Sequence, residues 1–272
     1  LKGLDLAARE SSLTPSSLVV LDKSDTVRND MRQLVERVHI VQSGVADHSD
    51  MRYAPRAEAS LLVRWGGTET PVVSVIGPLT HARNKAFPTP RLMIQVFFRA
   101  GHARSFLGVP LHETADRIVA IDALWGAAGE RLRDRLTSCS LESALSTLYL
   151  ELQDRLDCSA LPSYPPLISL AMDRLSATSS SVEKVAAALG VGDRRLRRLF
   201  NDELGMTPKH FVRISRLQRV LMTEQGSRSW AERAIDAGYY DQAHMIGDFR
   251  DLMNTTPAAF WARSDRLATP FP

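Results

Sequence analysis

A shift of 49 residues lays VEKVAAALGVGDRRLRRLFNDELGMTPKHF (182–211) onto AERAIDAGYYDQAHMIGDFRDLMNTTPAAF (231–260). Identical positions in that register include Glu183/Glu232, Phe200/Phe249, Asp202/Asp251, Thr207/Thr256, Pro208/Pro257 and Phe211/Phe260. Apolar partners recur at Val185/Ala234, Leu196/Met245 and Leu204/Met253. Each copy reads as a short apolar helix with alanine at a close-packing position, a tight turn containing glycine, and a second helix. That is the grammar of a helix-turn-helix, whose second helix enters the major groove of DNA.

The second helix of the first copy carries the densest charge. In VGDRRLRRLF (191–200), Leu196, Leu199 and Phe200 fall on one side, leaving Arg194, Arg197 and Arg198 at i, i+3 and i+4 on the other. Such a face is either solvated, with intrahelical pairs to Asp202 and Glu203, or filled by an anionic partner. The repeat favours the partner, because arginine reads guanine bidentately in the major groove and each such pair discriminates by roughly 1–3 kcal/mol. Charge distribution agrees. Residues 166–266 hold 15 Lys+Arg against 12 Asp+Glu, an excess equal to the +3 of the whole chain, which leaves the remainder neutral. Between the two copies, TPKHFVRISRLQRVLMTE predicts one helix over 208–223. At about 1.5 Å per residue it is roughly 24 Å long, enough with its flanking units to set two recognition helices about one DNA turn apart. Its arginines Arg213, Arg216 and Arg219 face phosphate or form salt bridges, and the sequence leaves both fates open.

VAAALGVGDRRLRRLF, LGMTPKHFVRISRLQRVL, AIDAGYYDQAHMIGDF and NTTPAAFWA together resemble the C-terminal DNA-binding domain of the AraC/XylS family of bacterial transcription regulators, over about the last 100 residues. The resemblance implies an α+β chain: an N-terminal β-rich, cupin-like domain followed by an all-α domain with two helix-turn-helix units. It implies DNA contacts from Arg194, Arg195, Arg197 and Arg198 in the first unit, and from Gln242, Ala243, His244, Ile246, Gly247 and Arg250 in the second. The expected partners are double-stranded promoter DNA and RNA polymerase, with a small-molecule effector and a second copy of the chain as further candidates; activation is the expected output. The second reader departs from the pattern. Where the first has Arg194, Arg197 and Arg198, it has Ala243, Ile246 and Gly247, and Gly247 stands where the family commonly has arginine. The second unit is therefore expected to bind by phosphates and shape more than by base edges. Asp241 is its expected N-cap, Gln242 is placed to reach adenine, His244 faces the DNA backbone or simply the surface, and Arg250 is placed for phosphate. In the first unit Gly192 replaces a small hydroxyl residue at the cap, and Asp193 is expected to cap instead.

The first half reads as short strands. SLLVRW (60–65), PVVSVI (71–76) and RLMIQVFFR (91–99) are separated by glycine and proline. Helical patterns follow from about Leu111 through LWGAAGERLRDRL, and from Leu141 to Leu156, where five leucines form a stripe suited to a core or a dimer contact. The break ALPSYPP (160–166) then marks a boundary. The expected division is 1–137 for effector sensing, dimerization or both, 138–163 as connecting helix and linker, and 164–266 as the double helix-turn-helix domain. FFRAGHARSFLGVPLHETADRIVAIDALWG (97–126) also resembles the N-terminal domain of one branch of the same family. Trp65, Phe97, Arg99 and His102 are candidates for an effector pocket, with core aromatics as the competing reading.

Other chemistry has little footing. The seven histidines show neither HxH nor HExxH spacing, and no phosphate loop or GxSxG elbow occurs. No metal, cofactor or catalytic residue is therefore expected. Cys139 and Cys158 make no disulfide framework. No apolar run approaches the roughly 18 residues of a membrane span, so a cytoplasmic protein is expected. The alternative is a small-molecule-binding or metal-free enzymatic β-barrel whose helical tail is an interaction module.

Overall fold

The computed structural model describes residues 18–22, 31–32, 34–43, 48–66, 70–88, 92–137, 139–158, 166–177, 181–222 and 229–262. Its strands are β1 (Leu18–Asp22), β2 (Val35–Ser43), β3 (His48–Tyr53), β4 (Ser60–Trp65), β5 (Val72–Ile76), β6 (Arg83–Pro88), β7 (Leu92–Phe98) and β8 (Ile118–Ala120). Six form one antiparallel sheet in the order β1-β2-β7-β4-β5-β8, and β3 pairs with β6 as a separate ribbon.

Alternation along the strands gives the sheet two different faces. Val38, Ile40, Leu61, Val63, Val73, Val75, Ile94, Val96 and Phe98 lie in one buried apolar cluster. Helices cover it: α1 (Ala103–Leu107), α2 (Ile121–Trp125), α3 (Ala127–Leu136) and α4 (Leu141–Asp157) contribute Phe106, Leu107, Ile121, Leu132, Leu136, Leu148 and Leu152. The leucine stripe of α4 thus belongs to the core of the N-terminal half. On the opposite face, Arg37, His39, Ser60, Ser74 and Gln95 are buried polar groups. The helix expected from Leu111 begins later. Leu111–Glu113 is a single 3₁₀ turn, and Ile118–Ala120 pairs with β5 before α2 starts, because an edge of the sheet is there to accept its backbone.

The C-terminal half is helical: α5 (Pro166–Ala177), α6 (Val182–Ala188), α7 (Asp193–Leu204), α8 (Pro208–Met222), α9 (Trp230–Asp236), α10 (Gln242–Met253) and α11 (Pro257–Ala262). Apart from Pro166, the ALPSYPP break lies outside the described residues. Two cores are strung on α8. Phe211 and Ile214 join Ile168, Val185, Leu196, Phe200 and Leu204, whereas Leu217 and Val220 join Ala234, Met245, Phe249, Leu252 and Phe260. With 15 residues at about 1.5 Å each, α8 spans roughly 22 Å.

Candidate DNA-binding surface

In the first unit, the Ser181 side chain accepts from Lys184 N at 3.3 Å to start α6. The turn is set by Gly190, at φ 67°, after which Val191 N donates to Ala186 O at 3.0 Å. Gly192 is the N-cap of α7 and offers no side chain. Asp193, expected to cap, stands one residue inside the helix, where its Oδ2 accepts from Arg197 Nε at 2.8 Å. A carboxylate there still suits the positive end of the helix. Leu196 and Phe200 are buried; Arg194, Arg195, Arg197 and Arg198 are all exposed. Arg197 also lies 3.8 Å from Glu183 on α6, and Arg198, 84% exposed, 3.7 Å from Asp202. Asp202 therefore makes the intrahelical pair expected of it. Glu203 does not, being buried against Arg104 of α1 at 2.7 Å. Burial raises its pKa, outweighing the guanidinium that pulls the other way.

The second unit opens with a full capping box between Ser229 and Glu232. Its turn makes the same bond: Gly238 sits at φ 88°, and Tyr239 N donates to Ala234 O at 2.9 Å. The register is informative. The first helices, α6 and α9, are related by 48 residues, and so are the turn glycines; the second helices, α7 and α10, are related by 49. One residue has been inserted between turn and cap. Asp241 caps α10 as expected, accepting from His244 N at 2.7 Å. Gln242, Ala243, His244, Gly247 and Arg250 are exposed, and Ile246 is half-buried against the Phe249 core. The His244 ring meets Tyr239 edge-on at 5.2 Å. A Cβ built on Gly247 would find nothing within 4 Å.

The arginines of α8 bind the units together. Arg213 donates to Asp248 Oδ1 at 2.8 Å and to Asp251 Oδ2 at 2.5 Å, holding the Asp251 carboxyl below its ordinary range. Arg219 donates to Ala237 O at 2.6 Å and to Ser176 O at 2.7 Å, joining the second turn to the end of α5. Arg216 stands 5.9 Å over the Tyr239 ring. Of the two fates open to these arginines, Arg213 takes the salt bridge, while Arg219 spends its donors on backbone carbonyls.

The N-terminal half meets the far ends of both recognition helices. Ala82 N donates to Leu252 O at 2.7 Å, near the end of α10. At the end of α7, Gly205 packs so closely on Leu111 that an added Cβ would lie 2.9 Å from its carbonyl oxygen. His112 lies 3.6 Å from Asp202. Between these contacts His210 Nε2 meets Thr80 O at 2.9 Å, while Thr80 itself donates its N–H to Asp116 at 2.9 Å. The amino-terminal halves of α7 and α10 stay open. The effector candidates are not gathered in one pocket. Trp65 packs with the helix-side core and donates to Leu136 O at 3.2 Å, whereas Phe97 lies on the other face between Arg37 and Arg56, at 4.2 and 5.1 Å. Arg99 pairs with Glu36 at 2.8 Å on the surface, and buried His102 precedes α1. Arg56, fully enclosed, has its pKa lowered by burial to about 10. Among the described residues no cluster suits a metal ion, and no helix is long and apolar enough to cross a membrane.

Residues 170–263 match the family described as a helix-turn-helix domain. A transcriptional regulator with an AraC-type DNA-binding domain from Chromobacterium violaceum is similar at 25% identity, over 39% of this chain and 96% of its own, with a TM-score of 0.33. The C-terminal domain of AraT, a response regulator from Geobacillus stearothermophilus, is similar at 21% identity, over 40% and 92% of the two chains, with a TM-score of 0.34. Unsaturated fatty acid-bound ToxT from Vibrio cholerae aligns over 91% of this chain and 96% of its own, at 8% identity and a TM-score of 0.40. No curated protein matches the chain. Residues 170–263 are thus a helix-turn-helix domain, in which the structure places two such units, α6–α7 and α9–α10.

Proposed function

We propose that the chain occupies promoter DNA as a cytoplasmic activator working beside RNA polymerase, that its N-terminal half senses a small effector, pairs two copies or does both, and that it catalyses no reaction. Arg194, Arg195, Arg197 and Arg198 supply base reading and phosphate contacts in one groove segment. Gln242, Ala243, His244, Ile246, Gly247 and Arg250 line the next, where phosphate and shape dominate. One observation carries this reading: Arg213 and Arg219 bolt the two units together, with the amino-terminal halves of both second helices exposed. The effector's route to DNA is the seam, since Thr80 to Ala82 touch α8 and the end of α10, and Leu111 touches the end of α7.

The test is recovery of genomic fragments bound by the full chain, followed by titration of the recovered sites across salt. Binding should weaken linearly in log[salt]. Residues 164–266 alone should bind the same sites. Failure of that fragment to bind while folded by circular dichroism overturns the domain division; failure of the full chain overturns the function.

A further inference from the structure

Tyr240 is the residue that the second unit has and the first lacks. From the turn glycine, the first unit reaches its cap in two steps, Gly190-Val191-Gly192; the second takes three, Gly238-Tyr239-Tyr240-Asp241. Val191 and Tyr239 make equivalent turn bonds, to Ala186 O and Ala234 O, and both pack inward. The inserted position is therefore 240. Its neighbour Tyr239 is 4% exposed, whereas Tyr240 is 86% exposed, the most exposed large hydrophobic side chain among the described residues. Asp241 follows in extended conformation, at φ −154° and ψ 176°, and its side chain is committed to capping α10.

The insertion thus spends a large amphipathic ring on solvent, immediately ahead of a recognition helix whose first three residues, Gln242, Ala243 and His244, are exposed as well. A residue just before the cap of a helix that enters the major groove nose first stands over the groove's rim, where the duplex presents deoxyribose and phosphate rather than base edges. A tyrosine suits that rim: its ring covers the apolar side of a sugar, and its hydroxyl donates to a phosphate oxygen.

Resting on the reading that α10 enters DNA, we propose that Tyr240 is a positioning contact, its hydroxyl donating to a backbone phosphate and so setting how deeply the arginine-poor second helix docks. The contact is neutral. It releases no counterion, so it adds affinity without steepening the salt dependence, unlike an arginine at the same rim.

The full chain, as wild type, Tyr240→Phe and Tyr240→Ala, is titrated with a random-sequence duplex of about three helical turns at several salt concentrations between about 50 and 200 mM. The same proteins are then titrated with point variants of a site selected by the wild type. Loss of one hydrogen bond weakens Tyr240→Phe by about 3- to 10-fold. Tyr240→Ala loses at least as much, the slope of log K against log[salt] stays at the wild-type value, and the loss is equal on every sequence. Thermal unfolding of both variants matches wild type, since the side chain lies 86% exposed. Wild-type affinity in Tyr240→Phe, a shallower salt slope, a loss confined to one base pair, or a lowered unfolding midpoint each overturns the proposal. A wild-type chain that binds neither duplex overturns the DNA-binding reading along with it.

Discussion

The two helix-turn-helix units share a skeleton and differ in equipment. In each, a phenylalanine of the second helix meets a phenylalanine of the following one edge-on, Phe200 with Phe211 at 5.5 Å and Phe249 with Phe260 at 5.7 Å. In each, a left-handed glycine turns the chain and a residue after it bonds back to an alanine carbonyl. Outside that skeleton the likeness ends. The first second-helix exposes four arginines, and the other exposes glutamine, alanine, histidine, glycine and one arginine. Packing fixes the inner side of such a repeat, because each lost core contact costs stability, while the outer side is free to follow whatever it must touch.

The comparison is broken most forcefully from the inside. Phe200 and Phe249 are both fully buried, in separate clusters. Phe200→Ala and Phe249→Ala should each cost about 3–5 kcal/mol in denaturant unfolding. Their consequences for DNA should differ: the first removes base discrimination, and the second leaves it in place at reduced affinity. Equal loss of discrimination in both variants would mean that the units read as one.

What the sequence made legible follows from the same division. The second helix of each copy stands where the repeat places it, α7 after Gly192 and α10 after Asp241, and 60–65 is a strand end to end. Those segments carry their own signals, in apolar spacing and in glycine or proline stops. Strand β2 does alternate, Arg37 and His39 against Val38 and Ile40, but that Arg37 and His39 are themselves buried on the other face of the sheet is something only the tertiary context supplies. Ile118–Ala120 became a strand for the same reason, an available edge. The insertion at Tyr240 was in principle readable, since the turn of one copy is a residue longer than that of the other. A single register of 49 hides it, because the identities after the turn outnumber those before it. The seam was not readable: nothing local in Glu203 distinguishes a solvent pair from the partner 99 residues away that it takes.

Arg197 tests the comparison at its next scale. It is held by Asp193 and Glu183, so it reaches DNA only by exchanging those carboxylates for a base edge. Arg197→Ala should cost about 1–3 kcal/mol at one operator position and relax the preference there, whereas Arg250→Ala should weaken all sequences alike and lower the salt slope by about one. Titration over operator point variants separates them. A uniform loss for Arg197→Ala would place that guanidinium on phosphate and remove the main contrast between the units.

The smallest effect sharpens the contrast from the other side. Gly247 lies in the middle of α10, exposed, with open space where a Cβ would stand. Gly247→Arg should tighten DNA binding, and two contributions act in the same direction. Replacing a mid-helix glycine recovers roughly 0.5–1 kcal/mol of helix stability. A guanidinium on the outward face adds one cation facing a negatively charged groove, which steepens the salt dependence by about one contact. The position is exposed and a Cβ there meets nothing within 4 Å, so the penalty to look for comes from the DNA. That is the alternative to be tested: the glycine lets the helix lie so near the sugar-phosphate backbone that a side chain is excluded. Wild type and Gly247→Arg are titrated against one operator at two salt concentrations. Tighter binding at the lower salt with a steeper slope identifies the second helix as a reader that has lost an arginine. Weaker binding at both salts identifies a close approach, and the second unit then differs from the first by design of its backbone rather than by lack of side chains.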